Sequence, residues 1–155
     1  MDVKARDIMV REFDTVAADA PLKEAVKKLH EAQVRPTGYK AFGIPVVDSI
    51  GHVTGMLSMF DVIYHLRPPF MNYELESFSA WEGELAPYLE RFEDLRVEEV
   101  MSTPVATAEA DDHVMVVMDR MVKRRARRLP VVEGNRMIGM IYLSDVFHYL
   151  CKSWL

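Results

Sequence analysis

Apolar residues recur at helical spacing in two places along the chain. Leu22, Ala25, Val26 and Leu29 fall at i, i+3, i+4 and i+7, and Val114, Val117, Met118 and Met121 repeat that spacing. Each set predicts an amphipathic helix with one buried stripe. Lys23, Glu24, Lys27 and Lys28 take the opposite face of the first. Asp19-Ala-Pro21 precedes it, with an N-cap acceptor and a first-turn proline. Beyond Arg35-Pro-Thr-Gly-Tyr-Lys40, Ile44-Pro-Val-Val47 and Val53-Thr-Gly-Met-Leu57 flank a turn and read as a hairpin. Ser58 to Leu66 reads as a helix stopped by Pro68-Pro69. Lys4 to Met9 reads as a helical lead-in and Asp14 to Val16 as a brief extended piece.

The second half repeats this order. Met9, Thr15 and Asp19 match Met101, Thr107 and Asp111 at an offset of 92. Ile44-Pro-Val-Val47 matches Leu129-Pro-Val-Val132 at 85, and Gly55-Met-Leu-Ser-Met-Phe-Asp61 matches Gly139-Met-Ile-Tyr-Leu-Ser-Asp145 at 84. The shifts fall at predicted loops: an extra stretch of about seven residues near Arg35–Phe42, and a turn at Glu133–Arg136 one residue shorter. The chain is therefore an internal duplication of class α+β, with repeats at 1–66 and 95–155 and a connector at 67–94. The connector is acidic and aromatic (Phe70, Tyr73, Phe78, Trp81, Tyr88, Phe92). Leu85, Leu89, Phe92 and Leu95 predict one face of a helix beginning near Pro87. The connector aromatics read as a cap on the core or as a docking surface for a second subunit or partner.

Composition narrows the function. Half of the 155 residues are hydrophobic and 28% are charged, which predicts a globular chain. The net charge of −5 argues against nonspecific nucleic-acid or anionic-membrane binding. The single Cys151 excludes an intramolecular disulfide and a CxxC metal site, and the five histidines lack metal-ligand spacing, so no metal is assigned. The first residues carry no signal-peptide pattern, and Met137 to Cys151 is too short and polar to span a bilayer, so a cytoplasmic setting is expected. No nucleophile–base pair or Gly-rich phosphate loop is visible, so no catalytic residue is assigned and the chain is read as not an enzyme.

Two features carry candidate chemistry. Ser58 and Asp61 sit at a predicted strand–helix junction. They form a helix capping box, or they present a hydroxyl and a carboxylate to a ligand. A helix N-terminus adds free N–H groups that suit a phosphate. In the second copy Tyr142 replaces Ser58, leaving Asp145 without a hydroxyl cap and Ser144 as the nearest hydroxyl. The basic run Lys123-Arg-Arg-Ala-Arg-Arg128 stands out in an acidic protein. It reads as a solvated helix end or as a phosphate contact through Arg127 or Arg128, and its lack of stacking aromatics argues against nucleic acid.

The Pro-Val-Val phrases and Gly-x-x-x-x-x-Asp junctions, set twice at matching spacing, resemble the CBS-domain family, and two copies in tandem resemble a Bateman module. The resemblance implies two β-α-β-β-α units packed with pseudo-twofold symmetry through their sheets, commonly dimerising again. It implies an adenosine-containing regulatory ligand (AMP, ADP, ATP, S-adenosylmethionine or a signalling dinucleotide), no required cofactor, and a regulated protein partner. Asp61 and Asp145 would hold ribose hydroxyls, with Ser58 assisting. Ile44-Pro45 and Leu129-Pro130 would wall the adenine, with Thr15 and Thr107 nearby. The competing expectation is a ligand-free dimerisation or interaction scaffold.

Overall fold

The computed structural model describes residues 2–32, 42–68 and 84–155. In chain order these form α1 (Ala5–Ile8), α2 (Leu22–Glu31), β1 (Gly43–Val47), β2 (Val53–Ser58), α3 (Met59–Leu66), α4 (Leu85–Glu90), a 3₁₀ turn (Val97–Glu99), β3 (Ala108–Glu109), α5 (Val114–Arg124), β4 (Arg128–Glu133), β5 (Arg136–Tyr142) and α6 (Leu143–Cys151). The hairpins β1–β2 and β4–β5 are antiparallel and share one irregularity, at Val46/Val47 and Val131/Val132. In the second repeat β3 pairs parallel to β4; in the first the matching piece is a single bridge, Val16 to Val46.

Contacts between the halves come in equivalent pairs, which defines a pseudo-twofold axis. Lys4 bridges His113 as Arg96 bridges Pro21, and Val10 bridges Met140 as Ser102 bridges Met56. His52 and Arg136, themselves equivalent positions, bridge each other. The lead-ins are exchanged. Ala5 is buried among Val114, Val117, Leu129 and Ile141 of the second repeat. Val97 and Val100 are buried among Leu22, Ala25, Val46 and Leu57 of the first. Each core is thus completed by a segment of the other repeat, so apolar burial resists separation of the two.

Local signals were modified in three places. Pro21, not Asp19, is the N-cap of α2, and it offers no side-chain acceptor. Val26 is 39% exposed, so the buried stripe of α2 is Leu22, Ala25 and Leu29. The connector helix begins at Leu85, two residues before Pro87, and Leu85 and Leu89 are exposed. Tyr88 ties this helix back by donating its hydroxyl hydrogen bond to the Leu66 carbonyl. Most of the Arg35–Phe42 insertion and the aromatics Phe70, Tyr73, Phe78 and Trp81 lie outside the described residues. Among the described residues, no helix is long and apolar enough to cross a membrane.

Candidate functional site

At the β2–α3 junction Ser58 and Asp61 do form a capping box. The Asp61 N–H donates to Ser58 Oγ at 3.1 Å, and the Ser58 N–H donates to Asp61 Oδ2 at 2.8 Å. The Ser58 hydroxyl also donates to Oδ2, at 2.9 Å. Oδ1 accepts the Ser102 hydroxyl at 2.6 Å. The first N–H of α3, on Met59, donates to the Phe42 carbonyl at 3.0 Å. The helix end is thus largely satisfied by the protein, and attraction for an anion must come from elsewhere.

It comes from the other repeat. A cleft of about 780 Å³ opens beside Asp61, and its facing side is Arg124, Arg125, Arg127 and Arg128. Its volume falls in the range of small-molecule sites. Pro104, Val105 and Ala106, with Phe42, Met56 and Phe60, add an apolar lining. The chain reaches this geometry through Arg125, which ends α5 in the left-handed conformation with φ 51°. Glycine is least strained there; the arginine keeps a cation on the rim instead. Among the described residues none of these four arginines forms an ion pair, although Lys123 pairs with Asp119 at 3.0 Å.

Arg128 is the most constrained of the four. Its Nε is buried and, among the described residues, lacks a hydrogen-bond partner. Burial pulls its pKa below the ordinary value, nearby Arg127 acts in the same sense, and Tyr142 and Asp61 oppose it. Arginine nonetheless stays charged. The guanidinium crosses to the first repeat and lies against Gly43: a Cβ built there would stand 2.7 Å from Arg128 Cζ, Nε and Nη1. Gly43 and Ser58 are cross-strand partners in β1–β2, as Arg128 and Tyr142 are in β4–β5. A small pair in one repeat thus faces a large pair in the other. This asymmetry separates the two clefts. A second pocket, lined by Gly43, Ile44, Pro45 and Tyr142, measures about 30 Å³ among the described residues.

Of the residues singled out from sequence, Ser58, Asp61, Arg127 and Arg128 meet in the large cleft. Ile44 and Pro45 line the small one. Leu129 and Pro130 are buried, and the lining position of their strand is Arg128. The carbonyls of Thr15 and Thr107 accept equivalent bonds from Lys28 and Arg120, and neither threonine lines either of these two clefts. Asp145 lines neither cleft and keeps half of the cap, accepting from the Tyr142 N–H at 3.1 Å. This bond gives Asp145 a capping role at the start of α6. Ser102, Arg124 and Arg125 were not singled out individually. Ser102 had one available signal: it is the polar counterpart of Val10 at offset 92. Among the described residues, no group of His, Cys, Asp and Glu is placed to hold a metal ion.

Comparison with known proteins agrees with the fold. The CBS-domain profile matches residues 5–68 and 97–152. The chain belongs to the CBS-domain family. The CBS pair is 26% identical over 144 residues to inosine-5′-monophosphate dehydrogenase of Methanocaldococcus jannaschii, covering 92% of this chain and 23% of that one. It thus spans about a quarter of that relative's length. Its structure superposes on the CBS domain of a CBS-domain-containing membrane protein from Sphaerobacter thermophilus with TM-score 0.69 and 28% identity, covering 94% and 86% of the two chains. It also superposes on CBSX2 in complex with AMP (TM-score 0.69, 18% identity, 98% of each chain). The CBS domain pair of MJ0100 in complex with 5′-methylthioadenosine and S-adenosyl-L-methionine gives TM-score 0.68 at 21% identity, covering 99% of each chain.

Proposed function

We propose that this CBS pair is a regulatory module that binds one phosphate-bearing adenosine nucleotide (AMP, ADP or ATP) in the cleft beside Asp61. The carrying observation is the union, in one cleft, of a carboxylate from one repeat with four arginines from the other that make no ion pair among the described residues. Guanidinium groups take phosphate oxygens bidentately, and a carboxylate takes ribose hydroxyls. The AMP held by CBSX2 supports the class of ligand. S-adenosylmethionine, one of the two ligands of the MJ0100 pair, fits less well here, because its sulfonium and ammonium would face the same arginines. A ligand spanning both repeats favours one relative arrangement of them, and a regulated protein would read that preference.

Thermal unfolding tests the reading. At about 100 times its dissociation constant a nucleotide adds roughly 2.7 kcal/mol. That corresponds to a rise in Tm of about 5–11 °C for a chain of this size. The expected order is ATP and ADP above AMP, with S-adenosylmethionine weakest. A shift with S-adenosylmethionine alone would reassign the ligand, and none with any of them would favour the scaffold.

The same reading includes a homodimer. Helix α3 leaves Phe60, Ile63 and Tyr64 exposed, and α6 leaves Leu143 and Phe147 exposed. A second copy of the chain offers matching apolar faces, because α3 and α6 are equivalent elements. Sedimentation equilibrium is expected to give twice the monomer mass; a monomer at tens of micromolar would contradict this.

A further inference from the structure

Asp61 has fewer free acceptor positions than a ribose requires. An ionised carboxylate offers about four lone-pair positions. Three are filled: two on Oδ2 by the N–H and O–H of Ser58, and one on Oδ1 by the O–H of Ser102. A vicinal diol presents two donors, so one protein donor must leave when it binds. The Ser58 N–H is fixed at the helix cap, and the Ser58 oxygen, held by the Asp61 N–H it accepts, keeps its place beside Oδ2 even when its proton turns away. The Ser102 hydroxyl makes no other hydrogen bond among the described residues, and Ser102 is exposed on the cleft.

We infer that Ser102 is a specificity-determining residue, whose hydroxyl competes with the ligand's ribose for Asp61 Oδ1. The inference rests on the reading of the cleft as a ribonucleotide site. Release needs no backbone movement. The Ser102 N–H donates to the Met56 carbonyl at 2.8 Å, and the Met56 N–H donates to the Ser102 carbonyl at 3.1 Å, so only the side chain has to rotate. The fold does not require the hydroxyl either. Val10 makes the same two-way bridge to Met140 in the other half, with no hydroxyl at all. Ser102 therefore keeps the carboxylate satisfied in the empty cleft and raises the threshold for a diol to displace it. A ligand lacking the diol has no need to displace it.

The test is the affinity of the full chain for ATP and for 2′,3′-dideoxy-ATP, by calorimetry, in wild type, Ser102→Ala and Ser102→Thr. The Ala variant is expected to bind ATP about tenfold tighter, with dideoxy-ATP affinity unchanged. The Thr variant keeps the hydroxyl and is expected to restore wild-type behaviour. Unchanged or weaker ATP binding in Ser102→Ala overturns the competition, as does an equal gain for both ligands, which marks a merely structural effect. Absence of ATP binding in wild type and Ser102→Ala alike overturns the ribonucleotide reading of the cleft, and the role of Ser102 with it.

Discussion

Arg128→Met is expected to weaken ATP binding by about 30-fold or more while leaving the unliganded protein as stable as wild type, or more so. The two halves of this result have different causes. The guanidinium is partly buried, and among the described residues its Nε has no hydrogen-bond partner and it forms no ion pair. Burying a charge without a partner is unfavourable, so an apolar side chain of similar length relieves a cost. Methionine also packs adaptably against the surface that Gly43 leaves open. With ligand present, removing one side of a desolvated charge pair costs about 2–5 kcal/mol, which sets the lower limit of the affinity loss. Thermal unfolding with and without ATP reads both halves. A large fall in the Tm of the unliganded protein with binding intact would make Arg128 a structural residue.

Asp61→Ala is expected to lose ATP binding by a similar factor and also to lower the unliganded Tm. The carboxylate has a visible structural duty, because it caps α3 through Ser58 and accepts from Ser102. Loss of such a cap costs about 1 kcal/mol, or roughly 2–4 °C here. Asp61→Asn separates the duties. It keeps an oxygen acceptor and the shape of the cap, so its Tm is expected within about 2 °C of wild type. Its affinity should still fall steeply, because a neutral amide has one acceptor oxygen and no charge to offer hydroxyl donors. Wild-type affinity in Asp61→Asn and Asp61→Ala would leave Asp61 as a helix cap alone.

The duplication was legible because loop shifts left the offsets 92, 85 and 84 intact along the chain. The exchange of lead-ins was not. The sequence marks Lys4 to Met9 as a helical lead-in, but not that Ala5 enters the core of the second repeat or Val97 that of the first. Pro21 displaced the predicted Asp19 cap in the same way, because the start of α2 is fixed by its bridge to Arg96 in the other repeat. At the site, Asp61 and the basic run stood out by type and spacing. Their meeting in one cleft depends on the packing of the repeats. The pairing of Arg128 with Gly43 is not legible in the sequence, because the two belong to different hairpins that only the packing of the repeats brings together. Asp145 shows the opposite effect: the repeat marks it as the counterpart of Asp61, yet it caps α6 through the Tyr142 N–H and lines neither of these two clefts.

Calorimetric titration of ATP into the wild-type chain tests the central claim most directly, because it reads affinity and stoichiometry together. The single cleft of about 780 Å³ that joins Asp61 to the four arginines predicts one nucleotide per chain. Two equivalent nucleotides per chain, or no binding at millimolar ATP, would contradict the account.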